Sequence, residues 1–320
     1  MMKCSRRSFL QVSAGALLAS ELAAYGADGK ESKPRAKFTP LKVKEIRIEA
    51  GASKPFTAMQ VSDTHLTLVN AGENDARKVS LAMGRHTIFP WSEHYFDEAV
   101  HLARAKGDLL LHTGDMIDFV SKANLAYTER AFASDDWYAS SGNHEFSKYV
   151  GEAKEDAAYK ADSYDRVQAA FPNDLTFCSR VINGVNFVAI DDVYYNVTEA
   201  QHELFRKEVE KGLPIILMCH VPFYLPGLCA DQQRGSAANP AYVTGAPLEI
   251  TSKYNPHRAE QQKTDAPTGA FVAWLKEQKL LKGILCGHLH KFHEERFSPT
   301  AMQYVCSATY RGEVQRVSFV

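Results

Sequence analysis

Leu109-Leu110-Leu111-His112-Thr113-Gly114-Asp115 is the stretch from which the fold can be inferred. It predicts a short buried strand that ends in a tight turn at Gly114 and a carboxylate at Asp115. Apolar runs of this length bounded by glycine are typical of central strands in α/β sheets. Ligands of such sheets bind beyond the carboxyl ends of the strands. We therefore expect Asp115 to lie in a binding site, where it bridges two metal ions.

Four further strand-like segments also end in side chains that bind metals. The segments are residues 56–61, 137–140, 213–219 and 281–286. The side chains that follow them are Asp63 and His65, Asn143 and His144, His220, and His288 and His290. Carboxylate, carboxamide and imidazole groups together suit borderline or hard divalent ions such as Mn, Fe or Zn. The sequence therefore predicts a metal site assembled from several strand ends.

The ordered motifs carry a resemblance to a known family. They are Asp63-x-His65, Gly114-Asp115, Gly142-Asn143-His144-Glu145, His220 and Gly287-His288-x-His290. Together they resemble the calcineurin-like metallophosphoesterase superfamily over roughly residues 40–320. The resemblance implies an α/β fold, a four-layer α/β/β/α sandwich of two mixed sheets flanked by helices.

The resemblance also implies a role for each site residue. Two divalent ions (Mn, Fe or Zn, the identity left open) are expected as cofactors. The first is assigned to Asp63, His65 and His290, the second to Asn143, His220 and His288, with Asp115 bridging the two. His144 and Asp115 are the expected catalytic residues, and His144 faces the leaving group. Glu145 is expected to orient His144.

The implied function is hydrolysis of small-molecule phosphate esters by attack of a metal-bridging hydroxide on phosphorus. Asp63-Thr64-His65-Leu66 and the complete ligand set look most like the cyclic-nucleotide phosphodiesterase and related phosphodiesterase branch, which implies phosphodiesters such as cyclic nucleotides as substrates. A phosphomonoesterase or nucleotidase of the same superfamily is the alternative, and a nuclease or a non-catalytic binding protein is less favoured. The purple acid phosphatases carry a tyrosine after the bridging aspartate, whereas Met116-Ile117-Asp118 follow Asp115 in this chain, so it does not resemble that subgroup.

The first residues predict export. Lys3 and Arg6-Arg7 precede an apolar run of small residues, and Ser5 to Leu10 resembles the twin-arginine signal of bacteria. We expect a signal peptide over 1–27, a polar linker over 28–38 and a metallophosphoesterase domain over 39–320. The twin-arginine machinery would deliver the folded protein to the periplasm or another extracytoplasmic space, with no stable membrane span after cleavage.

The charge pattern argues against a nucleic-acid-binding protein, and the cysteine spacing argues against a disulfide-rich protein. The formal net charge is −1, with no block of like charges, so no nucleic-acid partner is expected. The six cysteines show no C-x-x-C pair. Cys219 and Cys286 precede metal motifs, but the ligand set is already full, so we expect them to behave as small apolar residues.

Several segments and side chains carry further expectations. Residues 66–92 show little periodicity and predict an irregular excursion over the site. Residues 222–266 predict a long lid-like insertion, because long loops in compact domains are commonly functional. Asn183-Gly184 predicts a hairpin turn and Thr198 to Gln201 a capping box. His112 is expected to be a core histidine, and the pair Asp191-Asp192 to be capped or solvated rather than part of the site.

Overall fold

Two mixed β-sheets face each other at the centre of the fold, in a computed structural model that describes residues 38–70, 76–148 and 156–320. The predicted signal peptide and nearly all of the predicted linker lie outside these residues. In chain order the strands are β1 (Lys42–Ile48), β2 (Phe56–Val61), β3 (Leu109–Thr113), β4 (Trp137–Ser140), β5 (Phe177–Ile182), β6 (Val185–Ile190), β7 (Ile215–Met218), β8 (Leu281–Cys286), β9 (His293–Arg296), β10 (Met302–Val305) and β11 (Glu313–Phe319).

The strand order separates the two sheets cleanly. One sheet has the order β1-β11-β2-β3-β4, and the other has the order β5-β6-β7-β8-β10-β9. In the first sheet β2, β3 and β4 are parallel, while β11 runs antiparallel to β2. In the second sheet β6, β7, β8 and β10 are parallel, with antiparallel edges at β5 and β9. The parallel strands of each sheet therefore end at one edge.

Side chains of the central strands alternate between two faces, one packed against the other sheet and one packed against the helices. Successive side chains of a strand point to opposite faces of its sheet. Leu111 packs between the sheets, in a cluster that also holds Phe187 and Met218 of the second sheet. Leu110, its neighbour, packs on the outer face against Phe96. The central strands of both sheets are therefore buried on both faces.

Helices cover the two outer faces. They are Ala76–His86, Ser92–Lys106, Lys122–Ala133, Ala157–Gln168, Glu199–Glu210, Pro226–Gln233, Leu248–Thr251, Pro256–Gln261 and Ala266–Lys276. Phe96 and Phe132 pack on the first sheet. Phe205 and Phe271 pack on the second. The predicted four-layer α/β/β/α sandwich is confirmed.

Two local signals of the sequence are confirmed. Asn183 and Gly184 adopt φ of 46° and 81° in the turn between β5 and β6. Thr198 accepts a hydrogen bond from the Gln201 backbone, and the Gln201 side chain returns to the Thr198 backbone, which completes the capping box.

The prediction of irregular structure over residues 66–92 is wrong for its second half. Residues Ala76–His86 form a helix. Its described side chains bury little apolar surface: Ala82 packs with Phe119, and Leu81 lies beside them. The sequence of this helix is amphipathic, a helical pattern that the prediction missed.

Three short helices and one strand were not predicted from the sequence. Residues 222–266 carry three short helices, and Leu228, Val243 and Ala246 of this segment are fully buried against the second sheet. Strand β9 (sequence HEER) has no apolar residue, and it forms because it pairs with β10 at the sheet edge.

Helices in the described part of the chain are too short or too polar to cross a membrane.

Candidate metal centre

The predicted site residues converge at one edge of the sandwich. Asp63 and His65 follow β2, Asp115 follows β3, and Asn143 and His144 follow β4. The second sheet contributes His220 after β7, and His288 and His290 after β8. Hydrogen bonds tie the two edges together: the His288 amide donates to Asp63 Oδ2 (3.0 Å), and His220 Nδ1 donates to the Thr113 carbonyl (2.7 Å).

Most of these residues share an unusual backbone conformation. The φ angle is 51° at Asp63, 53° at His65, 57° at Asp115, 69° at His288 and 52° at His290. Residues other than glycine seldom adopt positive φ, at a cost of roughly 1–3 kcal/mol each, and such residues cluster at functional sites. Strands β2, β3 and β8 therefore end in strained turns that direct polar side chains into the centre.

The first group of ligand atoms comprises Asp63, His65, Asp115 and His290. Asp63 Oδ1 lies 3.1 Å from His290 Nε2 and 3.9 Å from His65 Nε2. The two imidazole nitrogens lie 3.1 Å from each other.

The second group comprises Asp115, His220 and His288. His220 Nε2 lies 3.2 Å from Asp115 Oδ2 and 3.2 Å from His288 Nδ1. Asp115 Oδ2 is also 3.6 Å from His65 Nε2 of the first group. This one carboxylate oxygen thus stands between the two groups.

Both groups fit a pair of bound cations. Ligand atoms about 2.1 Å from one ion are roughly 3–3.4 Å apart in octahedral or tetrahedral geometry, and most of the distances here match that spacing. Asp63 Oδ1 and Asn143 Oδ1 are buried without a hydrogen-bond partner among the described residues. Buried acceptors are nearly always satisfied. A dinuclear site explains both unsatisfied oxygens.

Each histidine of the two groups has one ring nitrogen fixed by an outer partner. The partners are the Asp118 carboxylate for His65 (3.0 Å), the Thr113 carbonyl for His220 (2.7 Å), and the hydroxyls of Tyr195 for His288 and Tyr310 for His290 (3.2 Å each). The other nitrogen of each ring faces the centre. Outer partners of this kind fix the tautomer and orientation of metal-binding histidines.

Both carboxylates of the centre keep their negative charge despite their burial. Burial alone raises the pKa of a carboxylic acid, but the imidazoles around Asp63 and Asp115 lower both pKa values below the ordinary range. Burial opposes the charged form of His220 as well, yet Asp115 raises its pKa to about 10. Burial and the neighbouring His220 lower the pKa of His288 to about 3.

His144 lies beside the centre. Its Nδ1 donates to the Asp118 carbonyl (2.8 Å), and its backbone amide donates to Asp115 Oδ1 (2.9 Å). Burial favours the neutral ring, but Asp115 and Asp118 outweigh it and raise the pKa of His144.

Asp118 rather than Glu145 orients His144. The Glu145 carboxylate accepts hydrogen bonds from the backbone amides of Asp115, Met116, Ile117 and Gly142. It therefore holds the turn that carries Asp115, and the expectation that it orients His144 is wrong. The Gly-Asp-x-x-Asp spacing is the sequence signal that could have identified Asp118.

Arg85 holds Asp118 in turn. Its Nε and Nη2 donate to the two oxygens of Asp118, both at 2.7 Å. Asp118, His65 and His144 place ligand atoms within 4.8 Å of one another. Asp118 also forms hydrogen bonds with both histidines, through its carboxylate to His65 and through its carbonyl to His144, so contacts within the protein account for this trio. No local signal in the sequence points to Arg85.

Three expectations for individual residues have clear outcomes. Asp192 is fully buried and accepts from the His220 and Val221 amides beside the centre, so the expectation that it is solvated is wrong. His112 is a buried core histidine as expected, with its pKa lowered by burial to about 3. Cys219 and Cys286 have their sulfurs against backbone carbonyls, and burial raises the pKa of both thiols.

The sequence of the chain is similar to one known protein family. Residues 56–292 match the family described as calcineurin-like phosphoesterase. No significantly similar sequence is found among curated proteins.

Solved structures give distant matches. A dimetal phosphatase from Danio rerio is 13% identical with a TM-score of 0.47, over 80% of this chain and 88% of that one. A purple acid phosphatase from yellow lupin (Lupinus luteus) is 14% identical with a TM-score of 0.48, over 82% and 45% of the two chains. A 5′-nucleotidase from Candida albicans is 12% identical with a TM-score of 0.40, over 85% and 47%. The chain spans about half the length of the last two proteins.

The family match covers well over half of the sequence and includes every strand end that contributes to the centre. The chain belongs to the calcineurin-like phosphoesterase family and is a metal-dependent phosphoester hydrolase.

Proposed function

We propose that this protein is an exported dinuclear-metal phosphoesterase that hydrolyses small phosphate esters and prefers phosphodiesters. The observation that carries the proposal is the convergence of two groups of ligand atoms on Asp115 Oδ2. Asp63, His65 and His290 would hold one ion, and Asn143, His220 and His288 the other. Two divalent ions at such a centre would neutralise phosphate oxygens and activate water for in-line displacement at phosphorus.

His144 is the residue placed to exchange a proton with the leaving group. A carbonyl only accepts hydrogen bonds, so the contact with Asp118 fixes the Nδ1 proton and leaves Nε2 for proton transfer. His144 also lines the cavity beside the centre. General acid catalysis by a positioned side chain contributes roughly 10²- to 10⁴-fold to a rate.

The charge around the cavity supports the diester preference. The described residues that line it include no lysine or arginine. Arg85, the arginine nearest to His144 in the hydrogen-bond network, already pairs with Asp118. A monoester dianion carries one more negative charge than a diester, and none of the described lining residues is a lysine or arginine that could neutralise it.

Export is proposed from the sequence of residues 1–27. Replacing Arg6 and Arg7 by lysines preserves the charge and removes the twin-arginine pattern. We expect the full-length chain to reach the extracytoplasmic fraction of a bacterial host and the double variant to remain in the cytoplasm. Equal export of both would contradict the twin-arginine route.

Activity is tested on protein that is stripped by chelation and reloaded with Mn, Fe or Zn. We expect metal-dependent hydrolysis of bis(p-nitrophenyl) phosphate that exceeds hydrolysis of p-nitrophenyl phosphate. His144→Gln should lower kcat by ~100-fold or more while metal content is unchanged. Preference for the monoester would point to the phosphatase or nucleotidase alternative. Metal-loaded protein that hydrolyses neither ester would contradict the proposal.

A further inference from the structure

The His288 ring is restrained by hydrogen bonds only at its two nitrogens. Its Nε2 contacts the Tyr195 hydroxyl, and its Nδ1 lies 3.2 Å from His220 Nε2 at the centre. Contacts at the nitrogens leave the tilt of the imidazole ring free, whereas a metal-binding histidine needs a fixed orientation. Packing of neighbouring side chains has to supply the remaining restraint.

Three rings pack edge-to-face around the His288 imidazole. The ring centres lie 5.0 Å away for His220, 5.8 Å for Tyr195 and 6.3 Å for Tyr242, with interplanar angles of 74°, 71° and 68°. Edge-to-face pairs at these separations attract each other. His220 and Tyr195 also contact the nitrogens of His288, so Tyr242 is the member of the three that acts through its ring alone.

Tyr242 is fixed in a strained backbone conformation. Its φ is 54°, in the left-handed region that aromatic residues rarely adopt. Its neighbours Ala241 and Val243 are fully buried against the second sheet, and its amide donates to Oε1 of the buried Gln262 (2.9 Å). Strain of this kind persists only where the surrounding structure over-determines it. The fold therefore holds the Tyr242 ring against His288 at a cost in stability.

Arg258 restrains the Tyr242 ring in turn. Its guanidinium lies 5.2 Å from the centre of that ring, and its Nη1 donates to Gln261 Oε1 (2.5 Å) in the helix Pro256–Gln261. A guanidinium at this distance attracts an aromatic ring. A continuous row of contacts thus runs from this helix through Tyr242 to a proposed metal ligand.

The same stretch of chain is connected to the other histidine of the second group. The Thr244 hydroxyl lies 3.5 Å from Asp192 Oδ2, and Asp192 Oδ1 accepts from the His220 amide (3.0 Å). The Thr244 backbone is itself held, because it pairs with residues 222–224. Residues 242–244 therefore adjoin His288 directly and His220 through Asp192.

We propose that Tyr242 is a positioning residue for the second ion: its ring, backed by Arg258, holds His288 in the orientation that binds the metal. This inference rests on the dinuclear centre of the proposed function. It gives the 222–266 segment a role in metal retention, since that segment supplies both the ring and its support. Because Tyr242 acts through His288, excess metal should compensate for the loss of its ring.

The first test measures metal affinity without turnover. Competition between the full chain and a chromophoric chelator for Mn²⁺ should show that Tyr242→Asn weakens binding of one of the two ions by ~5-fold and leaves the other unchanged. Asparagine tolerates the positive φ but has no aromatic ring. Tyr242→Phe, which keeps the ring and lacks the hydroxyl, should bind both ions as the wild-type protein does.

Arg258→Met and Arg206→Met form a matched pair of variants. The Arg206 guanidinium lies 5.6 Å from the centre of the Trp274 ring, a contact of the same kind in the helix Ala266–Lys276. Arg258→Met should weaken the same ion as Tyr242→Asn by a smaller factor, and Arg206→Met should change neither affinity. Unchanged affinities in Arg258→Met would overturn the support assigned to Arg258.

Hydrolysis of bis(p-nitrophenyl) phosphate gives a second, independent readout. At limiting Mn²⁺ the kcat of Tyr242→Asn should fall, and saturating Mn²⁺ should return it to the wild-type value with KM unchanged. A kcat that stays low or a KM that stays high at saturating Mn²⁺ would show that Tyr242 acts on the substrate, and would overturn its role as a positioning residue.

The outcomes separate this inference from the proposed function. Unchanged affinity of Tyr242→Asn for both ions, equal weakening of both ions, or the same loss in Tyr242→Phe overturns the role of the ring even if diesters are hydrolysed. A wild-type chain that does not bind two ions overturns the dinuclear centre of the proposed function as well.

Discussion

Single residues fix which nitrogen of each histidine faces the metal centre. The Tyr310 hydroxyl lies 3.2 Å from His290 Nδ1 and accepts from Arg311 Nε (3.0 Å). The Tyr195 hydroxyl has the equivalent position at His288 Nε2. Removal of such partners typically lowers metal affinity by 10- to 100-fold. The two tyrosines therefore support one histidine of each ligand group.

We predict that Tyr310→Phe weakens binding of one metal ion by ~10-fold, because His290 loses its outer partner. Competition with a chromophoric chelator measures this affinity. Tyr138→Phe is the control, since its hydroxyl bonds to the Cys178 carbonyl instead of a ligand histidine. Equal metal affinity of Tyr310→Phe and the wild-type protein would contradict the assigned role.

Arg85 stabilises the fold because the carboxylate with which it pairs, Asp118, is buried. Asp118 is fully buried, so its charge depends on the paired hydrogen bonds from Arg85. Breaking a buried pair by removing one partner costs roughly 3–5 kcal/mol, whereas exposed pairs contribute roughly 0–1 kcal/mol.

We therefore expect Arg85→Met to lower the free energy of unfolding by about 3 kcal/mol, measured by urea denaturation. Arg104→Met, which breaks the exposed pair with Asp135, should cost less than about 1 kcal/mol. Similar losses in the two variants would show that Arg85 does not stabilise the buried carboxylate.

The site residues that belong to a sequence motif were predicted correctly as neighbours in space. The seven proposed ligands and His144 stand directly after apolar runs, and the structure brings them together. Arg85, Tyr195 and Tyr310 are distant in sequence from the side chains they contact, and their neighbours carry no pattern. The burial of Asp192 was not predicted, because it depends on a contact with the His220 amide, which follows β7 and is distant in sequence.

At the scale of elements, close approach of strand ends requires glycine at two turns. A Cβ on Gly287 would overlap Ser62 Oγ, and one on Gly142 would overlap Asp115 Oδ1. Both contacts join separate strand ends, so a side chain there would push the ligands apart.

We predict that Gly287→Ala destabilises the protein by at least 1–3 kcal/mol, as overpacking typically does, and weakens metal binding. Thermal unfolding with and without added metal measures both effects. Gly269→Ala is the matched control in the helix Ala266–Lys276, where the nearest atom would be 3.7 Å away. That substitution should be neutral or stabilising by up to ~1 kcal/mol. Destabilisation of both variants alike would argue against crowding at the strand ends.

Strands that are continuous apolar runs were predicted well, and elements that depend on tertiary contacts were not. The strands before Asp63, Asp115 and His288 are buried apolar runs, which the sequence displays directly. Strand β9 depends on backbone pairing with β10. The helices of residues 222–266 are too short to show a repeating apolar pattern, and the segment is held by packing against the second sheet.

At the scale of the whole molecule, the two sheets place complementary ligands at a shared edge. The first sheet supplies both carboxylates and Asn143, while the second supplies three of the four ligand histidines. Each ion would thus bind side chains from both sheets, and metal binding would stabilise their association. Any ligand that binds only the folded state stabilises it by mass action.

The most direct test is the metal content of the purified, reloaded chain, measured by elemental analysis beside Asp115→Asn. We predict two divalent ions per wild-type chain and loss of at least one in Asp115→Asn, because Asp115 Oδ2 stands between both ligand groups. One ion or none in the wild-type protein, or two tightly bound ions in Asp115→Asn, would contradict the dinuclear centre.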